Sequence, residues 1–174
     1  ARNEAENIEK TLIGLRLHLD SVGIRDCEYI VVDDGSTDET DQRVKELAND
    51  DPRICCLRNT SSKHGYGRAV AMGLEHFTGD AVIVCMADAS DDPKDVERYY
   101  YVLRDRAEAA FGSRWIQGSE VINYPRSKLF INRLANQLIR LLFNIPYNDV
   151  TNAFKGYRAN VIKGCQPFIS PHFN

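Results

Sequence analysis

Four aspartates follow two apolar runs that have the length of buried strands. Asp33 and Asp34 come after EYIVV, and Asp88 and Asp91 come after AVIVCM. In an open parallel sheet, ligands bind beyond the carboxyl ends of the strands, so we expect these carboxylates to line one crevice. Carboxylates in that place can accept hydrogen bonds from a base or a ribose, and they can ligate a hard divalent cation that also binds phosphate oxygens. The pattern therefore favours recognition of a nucleoside diphosphate.

Each of these segments also fits a purely structural role. DDGSTDET is typical of a strand, a turn and a helix cap, because Asp, Gly, Ser and Thr are ordinary turn and N-cap residues. Asp92 followed by Pro93 is what a capped helix start shows. A third segment, KHGYGR, places Gly65 and Gly67 beside Arg68 at a predicted helix start, but it matches neither a P-loop nor GxGxxG. Taken singly, these motifs leave both interpretations open.

Strands and helices alternate along the chain in the order of an α/β protein. Short continuous apolar runs predict buried strands at 28–32, 54–57, 81–86 and 107–111. Helical spacing predicts helices at 3–23, 40–48, 68–77, 93–106 and 127–143, with an irregular stretch at 112–126. In the first helix, Asn3 and Glu6 have the spacing of a capping box. We therefore expect an α/β sheet with parallel pairs.

The composition bounds the kind of protein that these elements form. At 174 residues and 43% apolar, the chain is long enough for one domain and too short for a second core. A net charge of -3 provides no basic field for a nucleic-acid backbone, so we expect no nucleic acid partner. The 5 cysteines lack a CxxC pair and fit a reduced, cytoplasmic setting. We expect a single domain over residues 1–174 that continues beyond the chain at both ends.

Sequence blocks taken in their order are more specific than any one motif. They are NEAENI, VVDDGSTDET, GYGRAVAMGL, GDAVIVCMADASDDP, FGSRW, NRLANQLIRLL and DVTNAFKGYR. Together they resemble glycosyltransferase family 2, and most closely its dolichol-phosphate mannose synthase-like polyprenyl-phosphate hexosyltransferases. The resemblance implies a GT-A fold, which is Rossmann-like with a mostly parallel central sheet and helices on both faces. It also implies a nucleoside-diphosphate sugar donor (GDP- or UDP-hexose), Mg2+ or Mn2+, and inverting transfer to a polyprenyl phosphate at the cytosolic face of a membrane.

The resemblance assigns the nucleotide-sugar site by position. Glu4 and Asp33 would contact the nucleoside, with Asp34 beside them. Independently of the resemblance, the glycine-rich helix start that carries Arg68 could approach the phosphates, and we include Arg68 in the nucleotide-sugar site. The family's usual opening, Pro-x-Tyr-Asn-Glu, survives here only as Arg-Asn-Glu at residues 2–4. The family's first strand is absent from this chain, and we expect an apolar strand that ends in proline to precede it.

The resemblance also places a metal site, with one departure. The family's Asp-x-Asp motif falls on Met86, Ala87 and Asp88, so the first acid of the pair is missing. Asp88 would then be the principal metal ligand. Ser90 and Asp91 lie where the family often supplies another oxygen ligand, and Asp91 would restore the lost charge.

The cationic groups of the expected site lie further along the chain. Arg114 and Arg133 align with arginines that the family uses for phosphates, and we expect them to bind the acceptor and to be catalytic together with Asp88. Asp149 and Lys155 lie in the family's acceptor-side segment. A phosphate is already ionised at neutral pH, so the enzyme needs to position it rather than deprotonate it, and the planar fork of arginine suits that task.

Two alternative functions and one alternative placement stay open. Transfer to a saccharide or another hydroxyl would require a carboxylate base near the anomeric carbon, and Asp149 is the first acid to consider. A degenerate module that binds a nucleotide-sugar without turnover would account for Met86 and the missing strand. The helix SKLFINRLANQLIRLLF carries apolar residues at helical spacing beside Arg133 and Arg140, so that its apolar side faces either the core or, as a peripheral contact, a membrane.

Overall fold

The computed structural model of the protein describes residues 1–116 and 125–168. The helices are α1 (Ile8–Ser21), α2 (Thr40–Asp50), α3 (Tyr66–His76), α4 (Pro93–Asp105), α5 (Arg126–Phe143) and α6 (Ala159–Gly164). The strands are β1 (Tyr29–Asp33), β2 (Ile54–Arg58), β3 (Ala81–Val84), β4 (Ala109–Phe111) and β5 (Lys155–Arg158). The predicted α/β class is confirmed. Residues 117–124 of the predicted irregular stretch at 112–126 lie outside the described residues.

The strands of the described residues form two ladders. β1 and β2 pair in parallel, with Tyr29 opposite Ile54. β5 lies between β3 and β4 and runs antiparallel to both. Lys155 therefore stands opposite both Val84 and Phe111, the last residues of β3 and β4. Because β3 and β4 are parallel to each other, the loops that follow them leave the sheet at the same edge, about 10 Å apart.

β5 is the strand that the sequence analysis missed. Its sequence KGYR has neither an apolar run nor a clear alternation, which explains why no pattern identified it. Gly156 lets helix α4 pack closely on this strand, because a Cβ there would lie 2.9 Å from Cδ1 of Leu103 and 3.2 Å from Cδ2 of Tyr99. The absence of a side chain at Gly156 is therefore what allows β5 to enter the sheet under α4.

The core lies between the helices and the two ladders. The helical spacing seen in the first helix is confirmed, because its four apolar positions are all buried: Ile8, Leu12, Leu15 and Leu19. Thr11 of α1 donates a hydrogen bond to the carbonyl oxygen of Ala87 at 3.0 Å. His18 of α1 lies 2.8 Å from a carboxylate oxygen of Glu97 on α4. Helix α1 therefore ties the turn after β3 to α4.

The capping box predicted at Asn3 and Glu6 is wrong. Helix α1 begins at Ile8 with Asn7 as its N-cap, and Asn3 has a left-handed backbone with φ 56°. The carbonyl oxygen of the Asn3 side chain instead accepts a hydrogen bond from the backbone N–H of Thr37 at 2.8 Å. Residues 1–4 are therefore used to hold the turn after β1 and are not part of the helix.

Helix α5 does not direct its apolar side toward the core. Phe130, Ile131, Leu134 and Leu138 are exposed, whereas Asn136 is buried. The core-facing alternative for this helix is therefore wrong. None of the helices within the described residues is long and apolar enough to cross a bilayer.

Candidate active site

The turn after β1 presents a buried carboxylate with one unused oxygen. Oδ1 of Asp33 accepts a hydrogen bond from the backbone N–H of Ser36 at 3.1 Å. Oδ2 of Asp33 is buried and has no hydrogen-bond partner among the described residues, although Nε of Arg58 lies 3.7 Å away. A buried acceptor without a partner is costly. This oxygen is therefore suited to accept a hydrogen bond from a bound polar group.

Asp34, the next residue, fastens a neighbouring loop. Its Oδ1 accepts from Nδ2 of Asn59 at 2.6 Å, and its Oδ2 accepts from the backbone N–H of Gly65 at 2.6 Å. Burial alone would raise the pKa of Asp34, but these hydrogen bonds and the nearby His64 outweigh burial and hold the pKa below its usual value. Asp34 is therefore an ionised clamp on the loop that precedes α3.

The first residues of the chain lie against the same turn. The amino group of Ala1 donates to the carbonyl oxygen of Val32 at 2.7 Å, and the N–H of Asp34 donates to the carbonyl oxygen of Ala1 at 2.8 Å. The backbone N–H of Glu4 donates to the hydroxyl of Thr40 at 2.8 Å. These bonds bring Glu4 to the end of β1, so the structure groups Glu4, Asp33 and Asp34 as the sequence predicted.

The turn after β3 carries two more carboxylates. Oδ1 of Asp88 accepts from the backbone N–H of Ser90 at 3.0 Å, and the side chain of Asp88 is exposed. Asp91 is half-buried, and its Oδ2 accepts from the backbone N–H of Met86 at 2.7 Å. Burial raises the pKa of Asp91, and repulsion from Asp88 and Asp95 adds to this rise. The turn therefore concentrates negative charge that a cation would neutralise.

The donor set of this turn fits a divalent metal bound together with a diphosphate. Within residues 1–116 and 125–168, no group of three or more His, Cys, Asp or Glu side chains is placed to hold a metal by itself. Mg2+ is usually held by one or two carboxylates and by substrate phosphates, and it retains waters. Asp88, Asp91 and the hydroxyl of Ser90 match that smaller set of hard oxygen ligands. Met86 contributes only its backbone N–H to Asp91.

Helix α3 brings a cation toward these turns. The helix packs on β1, and its first turn includes Arg68, whose N–H donates to the carbonyl oxygen of Gly65 at 3.0 Å. The half-buried Arg68 side chain makes no ion pair with the described residues. Burial raises the pKa of Tyr66, and the charge of Asp91 raises it further, so the start of α3 lies near the turn after β3. The start of α3, which carries Arg68, therefore lies near both acidic turns.

The loop after β4 carries Arg114, which forms a bidentate pair with Asp149. Nε and Nη2 of Arg114 donate to the two carboxylate oxygens of Asp149 at 2.8 and 2.7 Å, and the backbone N–H of Arg114 adds a third bond at 2.9 Å. Burial would raise the pKa of Asp149, but the Arg114 bonds outweigh burial and hold the pKa below its usual value. Both carboxylate oxygens of Asp149 therefore accept hydrogen bonds from Arg114, and the carboxylate is ionised at neutral pH.

Two asparagines of α5 extend this pair into a network that the sequence analysis missed. Nδ2 of the buried Asn136 donates to Oδ1 of Asn132 at 2.8 Å and to the hydroxyl of Thr151 at 3.0 Å. Oδ1 of Asn136 accepts from the backbone N–H of Val150 at 2.7 Å. Asn132 also accepts from Nη2 of Arg114 at 3.2 Å. Two asparagines four residues apart, and so on the same side of the helix, were the available signal.

Arg133 and Lys155 complete the cationic end of the site. The guanidinium of Arg133 lies 5.6 Å from the ring centroid of Trp115 and makes no ion pair with an acid in the described ranges. Nζ of Lys155 donates to the carbonyl oxygen of Val150 at 3.1 Å, and burial holds the pKa of Lys155 below its usual value. The structure therefore brings together all four residues predicted on the acceptor side. Their roles in binding and catalysis stay predictions.

The model of the family described as glycosyl transferase family 2 matches residues 1–165. This chain belongs to glycosyltransferase family 2. The match includes both acidic turns, the loop after β4, helix α5 and β5, so the residues of both candidate sites lie within it.

A curated relative is similar to most of the chain. Polyprenol monophosphomannose synthase of Mycolicibacterium smegmatis is 34% identical to this family 2 chain over 164 residues, which make up 92% of the chain and 60% of the relative. The predicted resemblance to polyprenyl-phosphate hexosyltransferases is confirmed by this likeness. The chain covers 46% and 65% of the next two curated relatives. It therefore spans about half to two thirds of the length of the curated relatives that it matches.

Solved structures agree on the fold. Glucosyl-3-phosphoglycerate synthase from Mycobacterium tuberculosis, in complex with Mn2+ and UDP-glucose, superimposes with a TM-score of 0.69 at 19% identity, over 92% of this chain and 54% of that one. A mannosyltransferase from Pyrobaculum calidifontis, in complex with GDP-Man and Mn2+, gives a TM-score of 0.60 at 21% identity, over 95% and 44%. At these identities the likeness shows the fold alone, and the GT-A class is confirmed.

Proposed function

We propose that this family 2 chain transfers a hexose, mannose or glucose, from a nucleoside-diphosphate sugar to a polyprenyl phosphate with inversion at the anomeric carbon. One observation carries the proposal. The acidic turn at Asp88 and Asp91 and the loop that carries Arg114 leave the same edge of the sheet, on either side of β5. The loops that carry a metal-binding group for a leaving diphosphate and a cationic group for an anionic acceptor thus leave the sheet about 10 Å apart.

The donor half of the proposal rests on the turn after β1. The buried, unused Oδ2 of Asp33 offers an acceptor for a base or ribose hydrogen, and Glu4 lies beside it. Asp34 acts on the nucleotide through the loop that it clamps, and Arg68 offers a cation for phosphate at the start of α3. The curated relative is named for the synthesis of polyprenol monophosphomannose, and the two solved structures contain GDP-Man or UDP-glucose. Both nucleotides are therefore included in the test below.

The metal in this proposal is Mg2+ or Mn2+, held by Asp88 with Ser90 and Asp91. When bound, such an ion neutralises the charge that develops on the leaving diphosphate. The two structural neighbours contain Mn2+, which supports dependence on a divalent metal. Asp91 supplies the second carboxylate that Met86 does not.

The acceptor half favours a phosphate over a hydroxyl. A hydroxyl acceptor would require a carboxylate base, but both oxygens of Asp149 accept hydrogen bonds from Arg114 and its pKa is lowered. An oxygen of the acceptor phosphate attacks the anomeric carbon while the bond between that carbon and the leaving diphosphate breaks. No proton has to be removed from the acceptor. Arg133, which has no acid partner among the described residues, would bind and orient that phosphate. The acceptor would place the reaction at a membrane, and the cytosolic face stays a prediction.

Calorimetric titration with GDP and with UDP, each with and without Mn2+, tests the donor and metal sites. We expect metal-dependent binding of one nucleotide, and we expect Asp88→Asn to weaken that binding at least about tenfold. Asp92→Asn is the matched control, because Asp92 directly follows the expected ligands in sequence but caps α4 by accepting a hydrogen bond from the backbone N–H of Lys94. Binding that needs no metal, or that Asp88→Asn leaves unchanged, would remove Asp88 from the site. No binding of either nucleotide would favour the degenerate module.

A further inference from the structure

Helix α5 is held to the protein by hydrogen bonds from a buried asparagine. Among the side chains of α5 that the structure describes, Asn136 is the only buried one, at 1% exposed. Its Oδ1 accepts from the backbone N–H groups of Val150 and Thr151 at 2.7 and 3.3 Å. Apolar contact has no preferred direction, whereas a hydrogen bond requires a particular geometry of donor and acceptor. These bonds therefore set the rotation of α5 and its position along its own axis.

Asn132, about one helical turn before Asn136, extends this contact to the loop after β4. Its Oδ1 accepts from Nδ2 of Asn136 at 2.8 Å and from Nη2 of Arg114 at 3.2 Å. The pair with Asp149 fixes Arg114 relative to the loop between α5 and β5, because Asp149 lies on that loop. The bond from Nη2 to Asn132 adds a direct connection between the guanidinium of Arg114 and helix α5.

Arg133 directly follows Asn132, and its contact lies beside the first one. The guanidinium of Arg133 lies 5.6 Å from the ring centroid of Trp115, the residue that follows Arg114. Two neighbouring residues of α5 thus contact two neighbouring residues of the loop after β4. A helix rises about 1.5 Å per residue, so even a small slide of α5 along its axis changes the distance between the two guanidinium groups. The spacing of the two cations therefore depends on how α5 is fixed against this loop.

We propose that Asn132 is a positioning residue that sets Arg114 and Arg133 as one binding pair for the phosphate of the acceptor. This inference rests on the proposed function, which assigns both arginines to that phosphate. Two guanidinium groups bind one phosphate well only when their N–H groups converge on its oxygens. Without the Asn132 oxygen, Nη2 of Arg114 loses an acceptor on α5, and the spacing of the two cations is less restrained. The donor site at the turns after β1 and β3 uses neither contact.

Fluorescence titration of Trp115 with geranyl phosphate, a short prenyl phosphate, tests the pair. The chain contains 1 tryptophan, so its emission reports the surroundings of Arg133. We expect geranyl phosphate to change this emission and geraniol, which lacks the phosphate, to leave it unchanged. Asn132→Ala should raise the dissociation constant of geranyl phosphate about tenfold, because a group misplaced by about 1 Å costs up to about a hundredfold in efficiency. In the transfer assay, KM for geranyl phosphate should rise by the same factor, whereas KM for the donor should not change.

Two further variants show whether Asn132 acts through Arg114. Gln137→Ala, at an exposed position of the same helix, is the control and should leave the dissociation constant unchanged. Arg114→Lys retains a cation for Asp149 but lacks the planar fork that also reaches Asn132. Because both substitutions break the same bond, Asn132→Ala in the Arg114→Lys background should weaken binding by less than about twofold more. Losses that multiply in the double variant, or an equal loss in Gln137→Ala, would overturn the proposal.

The outcomes separate this inference from the proposed function. Geranyl phosphate that binds the wild type and Asn132→Ala equally well would overturn the inference alone. A wild type that does not bind geranyl phosphate would overturn the inference together with the acceptor half of the proposed function. Binding that Asn132→Ala weakens, without transfer of a hexose from GDP-mannose or UDP-glucose, would support the inference and refute the proposed transferase.

Discussion

The two acidic turns and the Arg114 network hold their charged groups in opposite ways. In the turns, a carboxylate accepts a backbone N–H close in sequence: Asp33 from three residues on and Asp88 from two residues on. In the network, the hydrogen bonds join segments that are distant in sequence, and Arg114 and Asp149 are 35 positions apart. Asp33 and Asp88 are therefore held by short local motifs, although Asp34 also binds a distant loop, whereas the network exists only after distant segments have packed together.

The two regions also differ in how they balance charge. Asp91 is partly buried and repelled by Asp88 and Asp95, which together raise its pKa, so the turn after β3 gains from a bound cation. The network already contains its counter-charge in the Arg114 and Asp149 pair. Ligands should therefore stabilise the acidic turns more than the network, and mutation should damage the network more than the turns.

Removal of the Asp149 charge should produce the largest effect on stability. Asp149→Asn leaves the guanidinium of Arg114 without its carboxylate, and Asp149 is 0% exposed. Loss of one partner from a buried pair costs on the order of 3 kcal/mol. We expect a decrease of that size in the free energy of unfolding, measured by urea denaturation. A loss close to zero would contradict the view that the network is the more rigid region.

Arg104 and Asp105 provide a matched control for this pair. They form the same bidentate geometry at 2.7 and 2.7 Å, but their side chains are 53% and 45% exposed. Asp105→Asn should therefore change the free energy of unfolding little, because exposed ion pairs contribute little to stability. A pH titration adds a second check. Because the folded-state pKa of Asp149 is lowered, its stabilisation is present above the unfolded pKa and is lost as the pH falls through the folded-state value. The difference in the free energy of unfolding between wild type and Asp149→Asn should become smaller below about pH 4.

Asn136→Ala should produce the next largest effect. The substitution removes the side-chain oxygen that accepts hydrogen bonds from the backbone N–H groups of Val150 at 2.7 Å and Thr151 at 3.3 Å. Buried polar groups left in this way cost about 1–3 kcal/mol. The control is Gln137, the exposed neighbour on the same helix. Gln137→Ala should change the free energy of unfolding little. Thermal or urea unfolding measures both, and equal effects would show that Asn136 does not hold α5 to the loop.

The sequence predicted the acidic turns better than the network for a physical reason. Asp33, Asp34 and Asp88 stand directly after apolar runs, so periodicity alone placed them at the strand ends. Asn136 was missed because Val150 and Thr151, which it binds, lie on a loop 14 and 15 residues away. β5 was missed for the same reason, since KGYR becomes a strand only between β3 and β4. Arg114 and Arg133 were identified through the family resemblance, and no pattern showed the pair with Asp149.

The smallest expected effect tests whether the turn after β1 is the more adaptable region. Gly23 and Gly35 both have left-handed backbones, with φ +83° and +78°. Alanine at either position should lower the free energy of unfolding by about 1 kcal/mol, because a residue with a Cβ is disfavoured in a left-handed backbone. A Cβ at Gly23 would meet nothing within 4 Å, whereas one at Gly35 would lie 2.7 Å from Cε1 of His64. Gly35→Ala must therefore also displace the His64 ring.

The excess cost of Gly35→Ala over Gly23→Ala isolates that displacement. His64 is a long side chain on a loop, and its 3.4 Å contact with Asp34 is weaker than the 2.6 Å bonds from Asn59 and Gly65. The ring can therefore turn away while the loop stays clamped, and we expect an excess below about 1 kcal/mol in urea unfolding. The excess should vanish when both glycine variants are compared in a His64→Ala background. An excess as large as the loss in Asp149→Asn would mean that the turn after β1 is as rigid as the network, because the loop would then have no freedom to move the ring aside.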